Sequence, residues 1–235
     1  MNKAQGYSNK PGFFSTSIGR KIIMALSGFA LIGFVIAHLA GNLQVFLGPE
    51  AINAYAAFLQ DNIALLWPAR IGLLLIFILH IYTAFKLKLA NTSARPNQYK
   101  KESIVCASPA SLYMLHTGML IFLFVLVHLA HFTFGMLQPE YFGLHDVKGR
   151  HDVYSMAIHG FQCLPYAVFY IICMLALGVH LSHGIASFFQ TLGFNHPRYS
   201  LRIQCVAKLT AVLIALGYIA IPLSVLFGVL RLPAT

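Results

Sequence analysis

Five long apolar stretches, each nearly free of formal charge, constrain this 235-residue chain more than any other feature. They cover about residues 22–46, 67–86, 111–136, 165–189 and 207–230. A bilayer core of about 30 Å is crossed by about 20 predominantly apolar residues in a helix, and each stretch supplies them. In hydrocarbon every backbone N–H and C=O must be satisfied within the segment, so runs of this length read as helices. Charged residues make up only 9% of the chain, against about 25% for a soluble domain. The expected fold class is all-α: an integral membrane bundle of five transmembrane helices forming a single membrane domain over 1–235.

The acidic residues Glu50, Asp61, Glu102, Glu140, Asp146 and Asp152 all fall outside these stretches. A transporter or pump built on a carboxylate relay needs at least one inside. The net charge of +10 has a topological reading before a nucleic-acid one. Lys3, Lys10, Arg20 and Lys21 precede the first span, Lys86, Lys88, Arg95, Lys100 and Lys101 lie between the second and third, and Arg198 and Arg202 between the fourth and fifth. The opposite loops hold no Lys or Arg over 48–66, and only Lys148 and Arg150 over 137–162. The positive-inside rule therefore predicts a cytoplasmic N-terminus and a C-terminus outside.

The apolar run after Met1–Arg20 is too long for a signal-peptide core, so the first span is expected to be retained. Pro49, Pro96, Pro139 and Pro197 punctuate the four loops, and Asn53 to Leu66 suits a short amphipathic helix on the outer surface. No internal repeat is expected. Cys106, Cys163, Cys173 and Cys205 are widely spaced, and without C-x-x-C-H there is no site for covalent haem attachment.

Four of the five spans contain histidine, a poor solute for hydrocarbon. The first holds His38, the second His80, the third His116, His128 and His131, and the fourth His180 and His183. At 1.5 Å per residue, His38 and His128 lie roughly 24–25 Å from the cytoplasmic ends of their spans. His80 and His183 lie about 9 Å from theirs, whereas His180, at about 14 Å, matches His80 less well. A single span histidine more often hydrogen-bonds a neighbouring helix than ligates a metal. Histidines on four spans, matched in depth two by two, argue for two bis-histidine sites stacked roughly 15 Å apart, each fit for a haem b in a bundle core. Gly41 and Gly184, small residues near His38 and beside His183, are candidates for letting a flat macrocycle approach the backbone.

The segments H-L-A-G-N at His38 to Asn42, T-G-M-L-I-F-L-F-V-L-V-H at Thr117 to His128, and H-L-S-H-G with Q-T-L-G over His180 to Gly193 resemble one family. It is the single-chain, five-span, di-haem cytochrome b subunit of succinate:quinone oxidoreductases, the succinate dehydrogenases and fumarate reductases. The resemblance runs from Ser17 to about Leu230. It implies that His38 and His128 ligate the outer, distal haem iron, and His80 and His183 the inner, proximal one. It also implies a bacterial cytoplasmic membrane location and partners on the cytoplasmic side: a flavoprotein with the succinate/fumarate site, and an iron–sulfur protein. Electrons then pass through the two haems to a quinone, commonly menaquinone, with no succinate site in this chain. For an outer quinone site, Asn42, Gln44, Gln60 and His131 are the polar groups at the right level. The rival readings are a cytochrome b subunit of a hydrogenase or formate dehydrogenase, and a haem-free transporter with histidines along a path.

Overall fold

The first helix begins where Thr16 turns from extended backbone and its hydroxyl accepts a hydrogen bond from the Gly19 N–H at 3.0 Å, satisfying one of the free donors of a helix start. This helix, α1, spans Ser17–Asn42. It tightens into a 3-10 turn over Leu43–Leu47 and stops at Gly48, whose φ of 97° excludes most side chains. Pro49 then occupies the first position of α2, Pro49–Asp61, where its missing N–H costs nothing. The computed structural model describes residues 12, 16–93, 113–194 and 196–233. Lys3, Lys10, Arg95, Lys100 and Lys101, which carry much of the expected charge bias, lie outside the described residues. So do Pro96, Glu102, Cys106 and Ser111.

α3 spans Ile63–Ser93 and α4 Met114–His128, which continues as a π-turn over Leu129–Thr133. The short α5 is Pro139–Phe142, and α6, Val153–Gln162, is capped by the Asp152 carboxylate on the Ser155 N–H. α7 spans Leu164–Thr191 and α8 Pro197–Leu226. Five segments are long and apolar enough to cross a membrane: Ser17–Leu47, Ile63–Ser93, Met114–Thr133, Leu164–Thr191 and Pro197–Leu226. The protein is thus an all-α, multi-pass membrane bundle. Leu74, Leu75 and Ile78 on α3 are each more than half exposed, as side chains facing lipid tails are.

Several boundaries differ from expectation, among them that of α3, which runs seven residues past Lys86 to Ser93. The amphipathic helix is α2, which starts at Pro49 rather than Asn53 and ends at Asp61, because the second spanning helix already begins at Ile63. The fifth spanning helix starts at Pro197, ten residues before its apolar run. An apolar run marks the part of a helix that sits in lipid, not the whole helix.

α1 packs against α3 and α7, and α7 against α4. α3 and α4 meet through the Phe77 and Phe122 rings, 6.3 Å apart. These four helices form a ring in which α1 stands opposite α4, and α3 opposite α7. α8 lies outside it, mainly along α7. One end of the ring is closed by the 3-10 turn, α2, α5 and α6, and there the largest buried cluster forms around Val45, Ile52, Tyr154, Ile158, Phe161 and Tyr170. Asn53, fully buried, pins this capped end. Its amide donates to Asp152 Oδ1 at 2.9 Å and Asp146 Oδ2 at 3.4 Å, and its Oδ1 accepts from the Tyr154 N–H at 2.9 Å.

Candidate functional site

Histidines meet across both diagonals of the ring. His38 on α1 faces His128 on α4 with ring centroids 5.9 Å apart and planes at 82°. His80 on α3 faces His180 on α7 at 6.5 Å and 66°. His183, the expected mate of His80, is not the ring that meets it; its Nε2 contacts the Ser187 hydroxyl one turn along α7, at 3.0 Å. The reason lies in the helix ends. α3 runs on to Ser93 and α7 to Thr191, so His80 is thirteen residues from its helix end, His180 eleven and His183 eight. Counted from the real ends, His180 is the better match.

The hydrogen bonds around these rings decide which nitrogen carries the proton. Ser27 Oγ lies 3.1 Å from His80 Nδ1, and its own proton goes to the Met24 carbonyl. A hydroxyl has one proton, so toward the imidazole Ser27 is an acceptor and Nδ1 is the protonated nitrogen. Thr117 Oγ1 repeats this at His180 Nδ1, 3.2 Å away, with its proton shared between the Tyr113 and Met114 carbonyls. Both rings are thereby neutral tautomers with the Nε2 lone pair free, the form that binds metals. Glycines allow the close approach: a Cβ on Gly28 would meet His80 Cε1 at 3.3 Å, and one on Gly118 would meet His180 Cε1 at 3.5 Å.

The capped level is built differently. Tyr170 Oη lies 3.5 Å from His128 Nδ1 and 3.2 Å from His131 Nδ1, and His131 Nε2 lies 2.8 Å from Gln138 Oε1. His131 is buried, 3% exposed, and stacks on Phe132 at 4.0 Å, with the tilted Tyr166 ring 4.7 Å away. The π-turn sets it there, against α7, by adding a residue to the turn after His128. His38 has aromatic neighbours, Phe34 at 5.2 Å and Tyr218 at 6.3 Å.

The separation of the levels follows from three helices. On α1, Ser27 touches the lower pair and His38 belongs to the upper, eleven residues on. On α4, Thr117 and His128 are also eleven apart, and on α7 Tyr170 and His180 are ten apart. At 1.5 Å per residue the levels are about 15–16 Å apart. This exposes a short repeat that the sequence reading missed: M-x-x-S-G-x9-H over Met24 to His38, and M-x-x-T-G-x9-H over Met114 to His128. Eleven residues is three helical turns, so hydroxyl and histidine share one face. The Thr117 hydroxyl, aligned with Ser27 by this repeat, is the sequence signal that points at His180.

The polar groups expected at an outer quinone site are not gathered. Asn42 Nδ2 donates to the His38 carbonyl of its own helix at 2.7 Å, Gln44 is half-buried on the 3-10 turn, Gln60 is exposed on α2, and His131 belongs to the Tyr170 network. The glycines also take other roles. A Cβ at Gly41 would meet the Tyr55 ring at 2.7 Å, so that glycine admits α2, while one at Gly184 would meet nothing within 4 Å. His116 is exposed beside Tyr113, and His159 stacks on Tyr141 at 4.0 Å. Among the described residues no three His, Cys, Asp or Glu side chains form a group that could hold a metal ion. No protein-family model, curated protein or solved structure matches the chain.

Proposed function

We propose that this chain is the di-haem cytochrome b anchor of a succinate dehydrogenase or fumarate reductase, passing electrons between an iron–sulfur partner and membrane quinone. The observation that carries the reading is the pair of imidazole pairs, one across each diagonal, at two levels. The rings of each pair come from facing helices and stand close, at 5.9 and 6.5 Å between centroids, so each pair would hold a haem iron from two sides. Ser27 and Thr117 hold the lower rings with Nε2 free, and Gly28 and Gly118 keep side chains off them. On this reading His38 and His128 hold the distal haem, and His80 and His180 the proximal one, with His180 replacing His183.

A bound haem b supplies a reversible one-electron couple at each level. His38, His80, His128 and His180 would orient it, and none of the five spans contains an acidic residue. The excess of Lys and Arg in the loops away from the capped end supports a topology with that end outside and the opposite end in the cytoplasm, where the flavoprotein and iron–sulfur subunits would dock. An outer quinone site, with menaquinone as the expected quinone, makes electron flow cross the membrane field, at about 2.3 kcal/mol per charge per 100 mV.

The test is a pyridine haemochrome assay on the purified complex. Two haems b per chain are expected, falling to one in His180→Ala and staying at two in His183→Ala. Loss of a haem only from His183→Ala restores the His80/His183 pairing, and wild-type protein without haem overturns the reading. Co-purification of a covalent-flavin or flavin-binding subunit with succinate or fumarate activity separates this assignment from a hydrogenase or formate dehydrogenase subunit.

A further inference from the structure

We infer that Tyr170, His131 and Gln138 form an oriented hydrogen-bond chain that holds His128 in its Nδ1–H form and sets the electron affinity of the centre at the capped level. The inference rests on the di-haem reading and names positioning residues within it.

Direction comes from the far end. Gln138 presents its carbonyl oxygen to His131 Nε2 at 2.8 Å, so Nε2 donates and carries the proton of neutral His131. His131 Nδ1 is then an acceptor, and Tyr170, 3.2 Å away, donates its single hydroxyl proton to it. That leaves Tyr170 only lone pairs for His128 Nδ1, at 3.5 Å the longest link, so His128 donates from Nδ1 and keeps a lone pair on Nε2. The opposite direction ends with a proton on His128 Nε2, which forbids ligation. Gln138 thus selects the metal-binding tautomer of a residue ten positions away.

The chain is sheltered and one-sided. Tyr170 is buried, with Phe124 and Phe161 rings each 5.1 Å from its own. Gly160 on α6 admits the His131 ring, since a Cβ there would meet His131 Cε1 at 3.3 Å and Phe132 at 3.0 Å. Across the pair, Asn42 spends its amide on the His38 carbonyl, and at the lower level the acceptors are the Ser27 and Thr117 hydroxyls. An acceptor on the far nitrogen of a ligating histidine raises its basicity, which favours the more positive iron and lowers the midpoint potential.

The experiment is an optical redox titration of the complex carrying Tyr170→Phe, Gln138→Leu or both. Tyr170→Phe deletes one oxygen and keeps the ring in its aromatic setting. It is expected to make one haem about tenfold easier to reduce, about 59 mV upward for a one-electron couple, with the other unmoved. Gln138→Leu is expected to shift the same haem upward by less, and the double variant to match Tyr170→Phe, because Gln138 acts through Tyr170. Unchanged midpoints in Tyr170→Phe with both haems bound overturn the inference, as does full additivity in the double variant. If Tyr170→Phe loses one haem, an upward shift in Gln138→Leu supports the chain and its absence overturns it. Wild-type protein with no haem overturns the di-haem reading itself, and this one with it.

Discussion

A neutral imidazole has one nitrogen with a proton and one with a lone pair, and in hydrocarbon the group that takes the proton's hydrogen bond decides which is which. At His80 and His180 that group is a hydroxyl whose own proton is already committed to a backbone carbonyl one turn back. Thr117→Val keeps shape and removes the acceptor. On the di-haem proposal it is expected to raise the midpoint of the proximal haem by up to about tenfold in the reduction equilibrium, about 59 mV, while Thr117→Ser leaves it in place. A redox titration of the two variants checks this, and equal shifts in both would assign Thr117 to packing alone. The same local logic explains why His183 stands aside: its Nε2 is turned to Ser187 of its own helix.

Among the elements, α2 joins the apolar packing of Ile52 to a set of polar contacts. It is short, and it reaches the rest of the capped end through Asn53 and through Glu50, which pairs with Lys148 and Arg150 at 2.8 Å each. Asn53→Ala leaves the Tyr154 N–H without its acceptor in a buried site. The expected loss is about 1–3 kcal/mol, read as a lower unfolding midpoint in detergent with the five spanning helices intact by circular dichroism. The ion pairs add a pH signature. Arg150 hydrogen bonds hold the Glu50 and Asp146 carboxyls down at about 2. A folded-state value below the ordinary one means a contribution complete above about pH 4 and lost as pH falls toward 2. Hydrogen exchange in α2 is therefore expected to be flat from pH 7 to about 4, after correction for intrinsic rates, and to quicken below. Quickening already between pH 7 and 5 would implicate His151 instead, which burial and His145 hold below the usual histidine range.

Viewed whole, the molecule is two helical hairpins, α1 with α3 and α4 with α7, each carrying the same Met, hydroxyl, glycine and histidine spacing on its first helix. Pairing them head to head puts each hairpin's two histidines on different diagonals and at different levels, so neither pair forms within one hairpin. α8 adds a fifth crossing without histidine. On the proposed topology the capped end faces outside, an expectation that labelling tests directly. Membrane-impermeant maleimide is expected to label Val147→Cys, made in a Cys205→Ser background, from outside intact cells, because Val147 is fully exposed at the capped end. Cys205, exposed near the start of α8, is expected to label only in inverted vesicles. The reverse pattern would invert the topology and place the Tyr170 chain at the cytoplasmic face.

The sequence by itself determined the class of fold and singled out the first members of the candidate site. Apolar runs long enough for a bilayer allow little but helices, and histidines within them stand out against hydrocarbon. Depth counted along the apolar runs already set His38 level with His128, and the packed helices bring the two rings together. Tertiary structure alone decided the rest. α3 continues seven residues past its apolar run and α7 only two, so depths counted from those runs favoured His183, and only the packed helices bring His180 to His80. The roles of Ser27, Thr117 and Tyr170 are hydrogen bonds between helices 42 to 63 positions apart or across a π-turn, and no periodicity of a single helix encodes them. Gln44 and Gln60 looked alike in sequence because polarity and level were all that could be read there. Which polar groups gather depends on how α2, α4 and α6 dock, and docking gathered His131 and Gln138 while leaving the other two apart.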